Sequence, residues 1–138
     1  MVDVILGLQW GDEGKGKIVD FFAKDYKVVA RFQGGPNAGH TLYVNDKKLV
    51  LHQIPSGIFH LGIVNLIGNG VVLDPVTLKR ECESVAAFGV DVKKNLFISE
   101  LELNKNAILS YSLFWSIINY ELVKKSKSFM HAGIFESI

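Results

Sequence analysis

The first thirty-two residues constrain the fold more than any other stretch of the chain. Val2 to Leu8 is an aliphatic and β-branched run ending in a glycine-bearing turn, the pattern of a fully buried strand. From Lys15 to about Lys24 the apolar Ile18, Val19, Phe21, Phe22 and Ala23 lie between charges, which predicts a helix packed on a sheet. Lys27 to Phe32, KVVARF, reads as a second strand. Strand, loop, helix and strand within about thirty residues match a βαβ unit. That unit sets the loop GDEGKGKI, Gly11 to Ile18, at the N-terminus of its helix.

The loop comes within one residue of the phosphate-binding pattern G-x-x-x-x-G-K-[ST]. The missing residue is the hydroxyl that ligates Mg²⁺: Ile18 stands there and can bind no cation. Either the loop is a coincidence, since glycine-rich turns with lysines occur in many α/β proteins, or another side chain holds the metal. Backbone N–H groups converging at such a turn, with the positive end of the helix dipole, favour an anion, and Lys15 and Lys17 add mobile positive charge. Asp12 is the odd residue. A carboxylate in an anion-binding loop repels phosphate unless it ligates Mg²⁺, works as a general base, or does both; otherwise it is a solvated loop residue, as Glu13 also reads.

Any such anion must be held locally, because fifteen basic against fourteen acidic side chains leave no charge excess for nucleic acid or an anionic membrane. At 138 residues, 49% of them hydrophobic, the chain is long enough for one core. A single cysteine, Cys82, excludes an internal disulfide, and no Cys/His cluster has zinc spacing. The N-terminus carries Asp3 and no basic region ahead of its apolar run, so it does not read as a signal peptide, and the expected compartment is the reducing cytoplasm.

Downstream, HTLYV and KKLVL flank Asn45-Asp46 as a β-hairpin would, without the Asn-Gly turn signal. IVNLIGNGVVL, residues 63 to 73, reads as two strand segments broken at Gly68-Asn69-Gly70. Asp74-Pro75 predicts a helix start, with the carboxylate as N-cap and proline at the first position, and the helix is expected to reach Phe88 with Gly89 at its C-cap. LFIS, 96 to 99, reads as a further short strand, and there is no internal repeat. The fold class is therefore α/β: a P-loop-like strand-loop-helix unit in a mixed, mostly parallel sheet, with a β-hairpin.

A second loop, GGPNAGHT from Gly34 to Thr41, packs three glycines, a proline and an asparagine ahead of His40 at the mouth of the next strand. Histidine titrates near neutrality and can donate a proton to a departing oxygen, although a histidine with no chemical task is commoner at a strand start. His52, His60 and His131 lie in ordinary surroundings and receive no role.

Together, QWGDEGKGK and RFQGGPNAGHT resemble the two N-terminal signature segments of the adenylosuccinate synthetases, and the similarity continues through HQIPSGIF and NLIGNGVVLDP over residues 1 to 103. The resemblance implies a GTP-dependent ligase that joins IMP and L-aspartate in the AMP branch of purine synthesis by way of 6-phosphoryl-IMP. It also implies that Asp12 ligates Mg²⁺ and takes the N1 proton of IMP, so Ile18 need not bind metal. The carbonyl of Gly39 becomes a further Mg²⁺ ligand and His40 an acid toward the transferring phosphoryl group. GTP would meet Gly11, Asp12, Glu13, Gly14, Lys15, Gly16, Lys17, Gly39, His40 and Thr41. IMP would meet Asp12, Glu13, Gly14, Lys15, Asn37, Ala38, Gly39 and His40. The family further implies a homodimer whose partner subunit completes the site.

After LFIS the sequence departs from the family, which continues with a segment like AHLILPTH, and residues 104 to 138 form a non-family tail. Codons for Ser110-Tyr111-Ser112 can read Pro-Thr-His one base later, so the tail reads as a frameshift product and the chain as a truncated fragment. Counterparts of the guanine- and aspartate-recognition residues are not found. The apolar run Ala107 to Val123 contains Asn119, Glu121 and three serines and falls short of the roughly twenty apolar residues of a membrane span. It reads as an adventitious hydrophobic segment. Two alternatives to an active ligase stand: a GTP- or phosphate-binding module without ligation, and a non-functional truncation product.

Overall fold

The computed structural model describes residues 1–8, 13–99 and, for the backbone alone, 134–136. Gly11, Asp12 and nearly all of the 104–138 tail, with the readings that fall on them, lie outside the described residues. The element order is β1 (Asp3–Ile5), α1 (Lys15–Ala23), β2 (Val28–Gly34), β3 (His40–Val44), β4 (Lys47–Leu51), a 3₁₀ turn (Ser56–Phe59), β5 (Val64–Val71), α2 (Pro75–Ala86), α3 (Val92–Asn95), β6 (Leu96–Ile98) and β7 (Ile134–Glu136). Five strands form a sheet in the order β1-β7-β2-β5-β6, every pair parallel, and antiparallel pairing is confined to the separate β3-β4 hairpin. This is the expected α/β architecture, with the glycine-rich loop between a parallel strand and its helix. Among the described residues no helix is long and apolar enough to cross a membrane.

The first strand differs from its sequence reading. Val2, Val4, Leu6 and Leu8 are all exposed, so the run is covered on one face only, where Ile5 meets the small core of Val19, Ala23, Val29 and Ile63. Among the described residues β1 pairs with β7 alone, and only three of its residues enter the ladder. The Tyr26 hydroxyl donates to the Asp3 carboxylate and ties the strand to the far end of α1.

The larger core lies on the same face of the sheet, toward β5 and β6. Leu42 and Leu51 of the hairpin, Ile54 and Ile58, Ile67 and Val71 of β5, Leu78 and Val85 of α2, and Leu96 and Ile98 of β6 form one buried cluster. Burying a side chain of this size is worth about 1.5–3 kcal/mol. The hairpin, the sheet and α2 are therefore held as one unit.

IVNLIGNGVVL forms one strand rather than two segments. β5 runs from Val64 to Val71, and the GNG stretch accommodates a register shift opposite Phe32, between the pairs Arg31–Ile67 and Gln33–Gly70. A side chain on Gly68 would stand 3.1 Å from the Arg31 carbonyl oxygen, and one on Gly70 would collide with that of Phe32. Glycine here permits close backbone approach instead of ending the strand. The hairpin turn is also resolved. Asn45 and Asp46 have φ of 50° and 61°, the paired left-handed conformation of a type I′ turn, which Asp takes without the usual glycine.

α2 begins as its sequence predicts. Asp74 accepts a hydrogen bond from the Val76 N–H at 3.0 Å and from the Thr77 hydroxyl at 2.5 Å, with Pro75 at the first position. Its regular part ends at Ala86, and Gly89, with φ of 86°, ends the extra turn that follows.

Candidate functional site

The glycine-rich loop enters α1 through Gly14, whose φ of 80° is left-handed and whose carbonyl accepts from the Lys17 N–H at 3.0 Å. Glycine adopts this conformation without the penalty a Cβ would bring. Lys15 is buried to 8% exposure, and its ammonium pairs with the Glu13 carboxylate at 2.7 Å. The pair lies over Gly7, where any side chain would overlap the lysine nitrogen. Glu13 is thus exposed and an ion-pair partner of Lys15. Lys17 is exposed on the first turn of the helix.

The second loop is built around Arg31, a fully buried guanidinium in the middle of β2. It donates to the Gly35 carbonyl at 2.8 Å and to the His52 carbonyl. The ring Nδ1 of His52 lies 3.0 Å from the Pro36 carbonyl oxygen. A carbonyl only accepts, so the His52 hydrogen is on Nδ1. The start of GGPNAGHT is therefore gripped at Gly35 and Pro36, while Asn37 and Gly39 are exposed and Ala38, His40 and Thr41 are half-buried.

The two loops meet. A side chain on Gly16, in the first turn of α1, would stand 2.5 Å from the Cβ of His40 and 2.7 Å from its Cγ, so the helix N-terminus packs directly on the imidazole. Both ring nitrogens of His40 are buried, and among the described residues neither has a hydrogen-bond partner. Burial pushes the imidazole down to about 4, with the positive charge of Arg31 and then His52 adding to the effect. At neutral pH the ring is neutral and holds one N–H donor. The fold therefore sets a helix N-terminus against an unsatisfied imidazole, with Lys15, its ammonium paired with Glu13, and the exposed Lys17 on the same first turn, an arrangement suited to an anion.

Glu13, Gly14, Lys15, Gly16 and Lys17 from one loop, and Asn37, Ala38, Gly39, His40 and Thr41 from the other, all belong to these two segments. Sequence reasoning passed over Arg31 and His52. Arg31 is the one charge within the apolar VVARF, a signal that it has a structural partner, whereas nothing local distinguishes His52. Among the described residues no group of three His, Cys, Asp or Glu side chains could hold a metal ion, and Asp12 lies outside them. A side chain on Gly39 would stand 2.7 Å from Val50 and 2.8 Å from the His52 ring, so only glycine brings this backbone so close.

The profile of the adenylosuccinate synthetase family matches residues 4–111. The chain is 66% identical over 99 residues to the adenylosuccinate synthetase of Parabacteroides distasonis and 63% identical over 100 residues to that of Cytophaga hutchinsonii, covering 72% of this chain and 23% of each relative. It thus spans about a quarter of the length of the curated relatives it matches. Among solved structures, the fully ligated adenylosuccinate synthetase of Plasmodium falciparum is similar at 44% identity with a TM-score of 0.64, over 72% of this chain and 23% of that one. The succinoaminodeoxyadenylate synthetase of cyanophage S-2L, bound to dGMP and dATP, shares the fold at a TM-score of 0.60 and 17% identity, over 99% of this chain and 50% of its own. On this match, over more than half its length, the chain belongs to the adenylosuccinate synthetase family.

Proposed function

We propose that the chain carries the phosphoryl-transfer end of a GTP-dependent ligase joining IMP and L-aspartate into adenylosuccinate through 6-phosphoryl-IMP. The observation that supports this reading is the contact of Gly16 with His40, by which the two loops meet at the N-terminus of α1. In this reading Asp12 removes the N1 proton of IMP. The purine O6 becomes nucleophilic and attacks the γ-phosphorus of GTP, its bond to phosphorus forming as the bond to the β,γ-bridging oxygen breaks and GDP departs. The amine of aspartate then attacks C6, and phosphate leaves with the former O6. Holding nucleophile and phosphoryl group in one corner supplies much of the acceleration in such a step.

Lys15, Lys17 and the N–H groups of the first turn of α1 hold the phosphates of GTP, with Gly11, Glu13, Gly14, Gly16 and Thr41 shaping their cradle. Asn37, Ala38 and Gly39 position IMP. His40, neutral in the free protein, donates a hydrogen bond to the transferring phosphoryl group, and the negative charge arriving there draws its proton affinity up toward that of an acid. Asp12 and the Gly39 carbonyl would hold Mg²⁺, which when bound neutralises charge on the phosphate oxygens. The same reading implies a cytoplasmic homodimer in the longer relatives. For this chain alone it implies GTP binding without turnover, because its sequence holds no counterpart of the guanine- and aspartate-recognition residues.

Calorimetric titration of the 138-residue chain with Mg·GTP, with and without IMP, alongside chromatography for adenylosuccinate, tests this. Binding strengthened by IMP, without product, is the expected result. Absence of any GTP affinity in the folded chain would overturn it, and binding indifferent to IMP would favour a phosphate-binding module instead.

A further inference from the structure

We propose that Glu81 of α2 is the positioning residue for the Gly34–His40 loop, acting through the backbone of His52, Gln53 and Ile54; the consequence for nucleotide binding rests on the function proposed above. The Glu81 carboxylate is buried to 5% exposure, far from solvent for a charged group. It accepts three successive backbone N–H groups: His52 at 2.7 Å, Gln53 at 3.1 Å to each oxygen, and Ile54 at 3.0 Å. A carboxylate held by converging amides is the intramolecular form of an anion nest, and hydrogen bonds to a charged group are worth roughly 1.5–3 kcal/mol.

The nest fixes where His52 sits, and His52 fixes the loop. Its carbonyl receives Arg31, which also grips Gly35, and its ring reaches the Pro36 carbonyl at 3.0 Å. The same ring lies where a side chain on Gly39 would collide, 2.8 Å away, so it also backs the glycine that precedes His40. A second clamp holds the segment to the start of α2: the Gln53 amide donates to the Asp74 carbonyl at 2.9 Å and accepts from the Asp74 N–H at 2.6 Å. Helix α2 thereby sets the loop geometry although it belongs to neither loop.

The test uses the whole 138-residue chain. Glu81→Gln keeps the shape but turns an NH₂ group against backbone N–H donors, Glu81→Asp keeps the charge one methylene shorter, and Val85→Ala loosens the same helix without touching the nest. Amide hydrogen exchange is followed at residues 52–54 and at Gly35, Asn37, Gly39 and His40, together with the affinity for Mg·GTP. Glu81→Gln is expected to speed exchange in both groups of amides and to weaken GTP binding about tenfold. Glu81→Asp should recover part of each, and Val85→Ala should lower the melting temperature while leaving both readouts in place. The proposal is overturned if Glu81→Gln and Val85→Ala, compared through their losses in melting temperature, alter loop exchange equally. Should the wild-type chain bind no GTP, the function reading fails while loop exchange still decides the role of Glu81. If Glu81→Gln does not fold, the comparison of Glu81→Asp with Val85→Ala decides in the same way.

Discussion

Gly16 and His40 occupy each other's space: a methyl group added to the first would stand 2.5 Å from the Cβ of the second. In most helices replacing glycine by alanine gains about 0.5–1 kcal/mol through lower chain entropy. Here the expected sign is opposite. Gly16→Ala must push β3 from the helix N-terminus or displace the imidazole, so the urea midpoint should fall and Mg·GTP affinity should drop tenfold or more. A variant more stable than wild type would refute the packing described.

The lysines of the loop differ in setting, and their removal should differ accordingly. Lys15 is buried against Glu13, whereas Lys17 is exposed at the helix start and free to swing onto a phosphate. Lys17→Ala is expected to weaken Mg·GTP binding about tenfold with the midpoint of unfolding unchanged, while Lys47→Ala on the hairpin should alter it less than twofold. Equal losses from both, measured by calorimetry at one salt concentration, would remove Lys17 from the site.

The sequence was most legible where local chemistry decides structure. Asp74-Pro75 could scarcely begin anything but a helix, and the glycine-rich loop announced its place between strand and helix. It was less legible where a distant backbone sets the outcome. Gly68 and Gly70 read as a break because nothing within IVNLIGNGVVL reveals Phe32 lying against them. Val2 to Leu8 read as buried on both faces because composition does not say which neighbours cover an edge. At the site, the two glycine loops were visible as motifs, but their supports were not. Arg31, His52 and Glu81 reach the loop through backbone carbonyls and amides, which leave no trace in side-chain pattern.

His40 gives the fold an acid sensitivity with a defined window. The unfolded chain protonates this ring below its ordinary value of 6.5, the folded chain only below about 4. Between those values the unfolded state binds the extra proton, so stability from the neutral ring is fully present above 6.5 and is lost as pH falls toward 4. The loss is on the order of 3 kcal/mol at most. His40→Asn should unfold with a flatter dependence on pH between 7 and 4.5 than wild type, measured by urea midpoints. Parallel curves would show that the ring takes up its proton equally readily in the folded and unfolded chain.

The N-cap of α2 should titrate in the same sense, at lower pH. The hydrogen bond from the Thr77 hydroxyl, and with it the Val76 N–H, holds the Asp74 carboxyl below its ordinary value of 3.8 against a smaller opposing effect of burial. A depressed carboxyl contributes stability above its unfolded value and loses it as pH falls through the folded one. Asp74→Ala removes the side-chain cap but keeps the backbone pair with Gln53, so it should cost about 1 kcal/mol at pH 7. The difference between wild type and variant should then shrink below pH 4, since protonation weakens the same cap that the mutation deletes. Chemical denaturation of both proteins at pH 7 and pH 3 checks this, and a difference unchanged by acid would mean that the carboxylate charge contributes nothing to holding α2 in place.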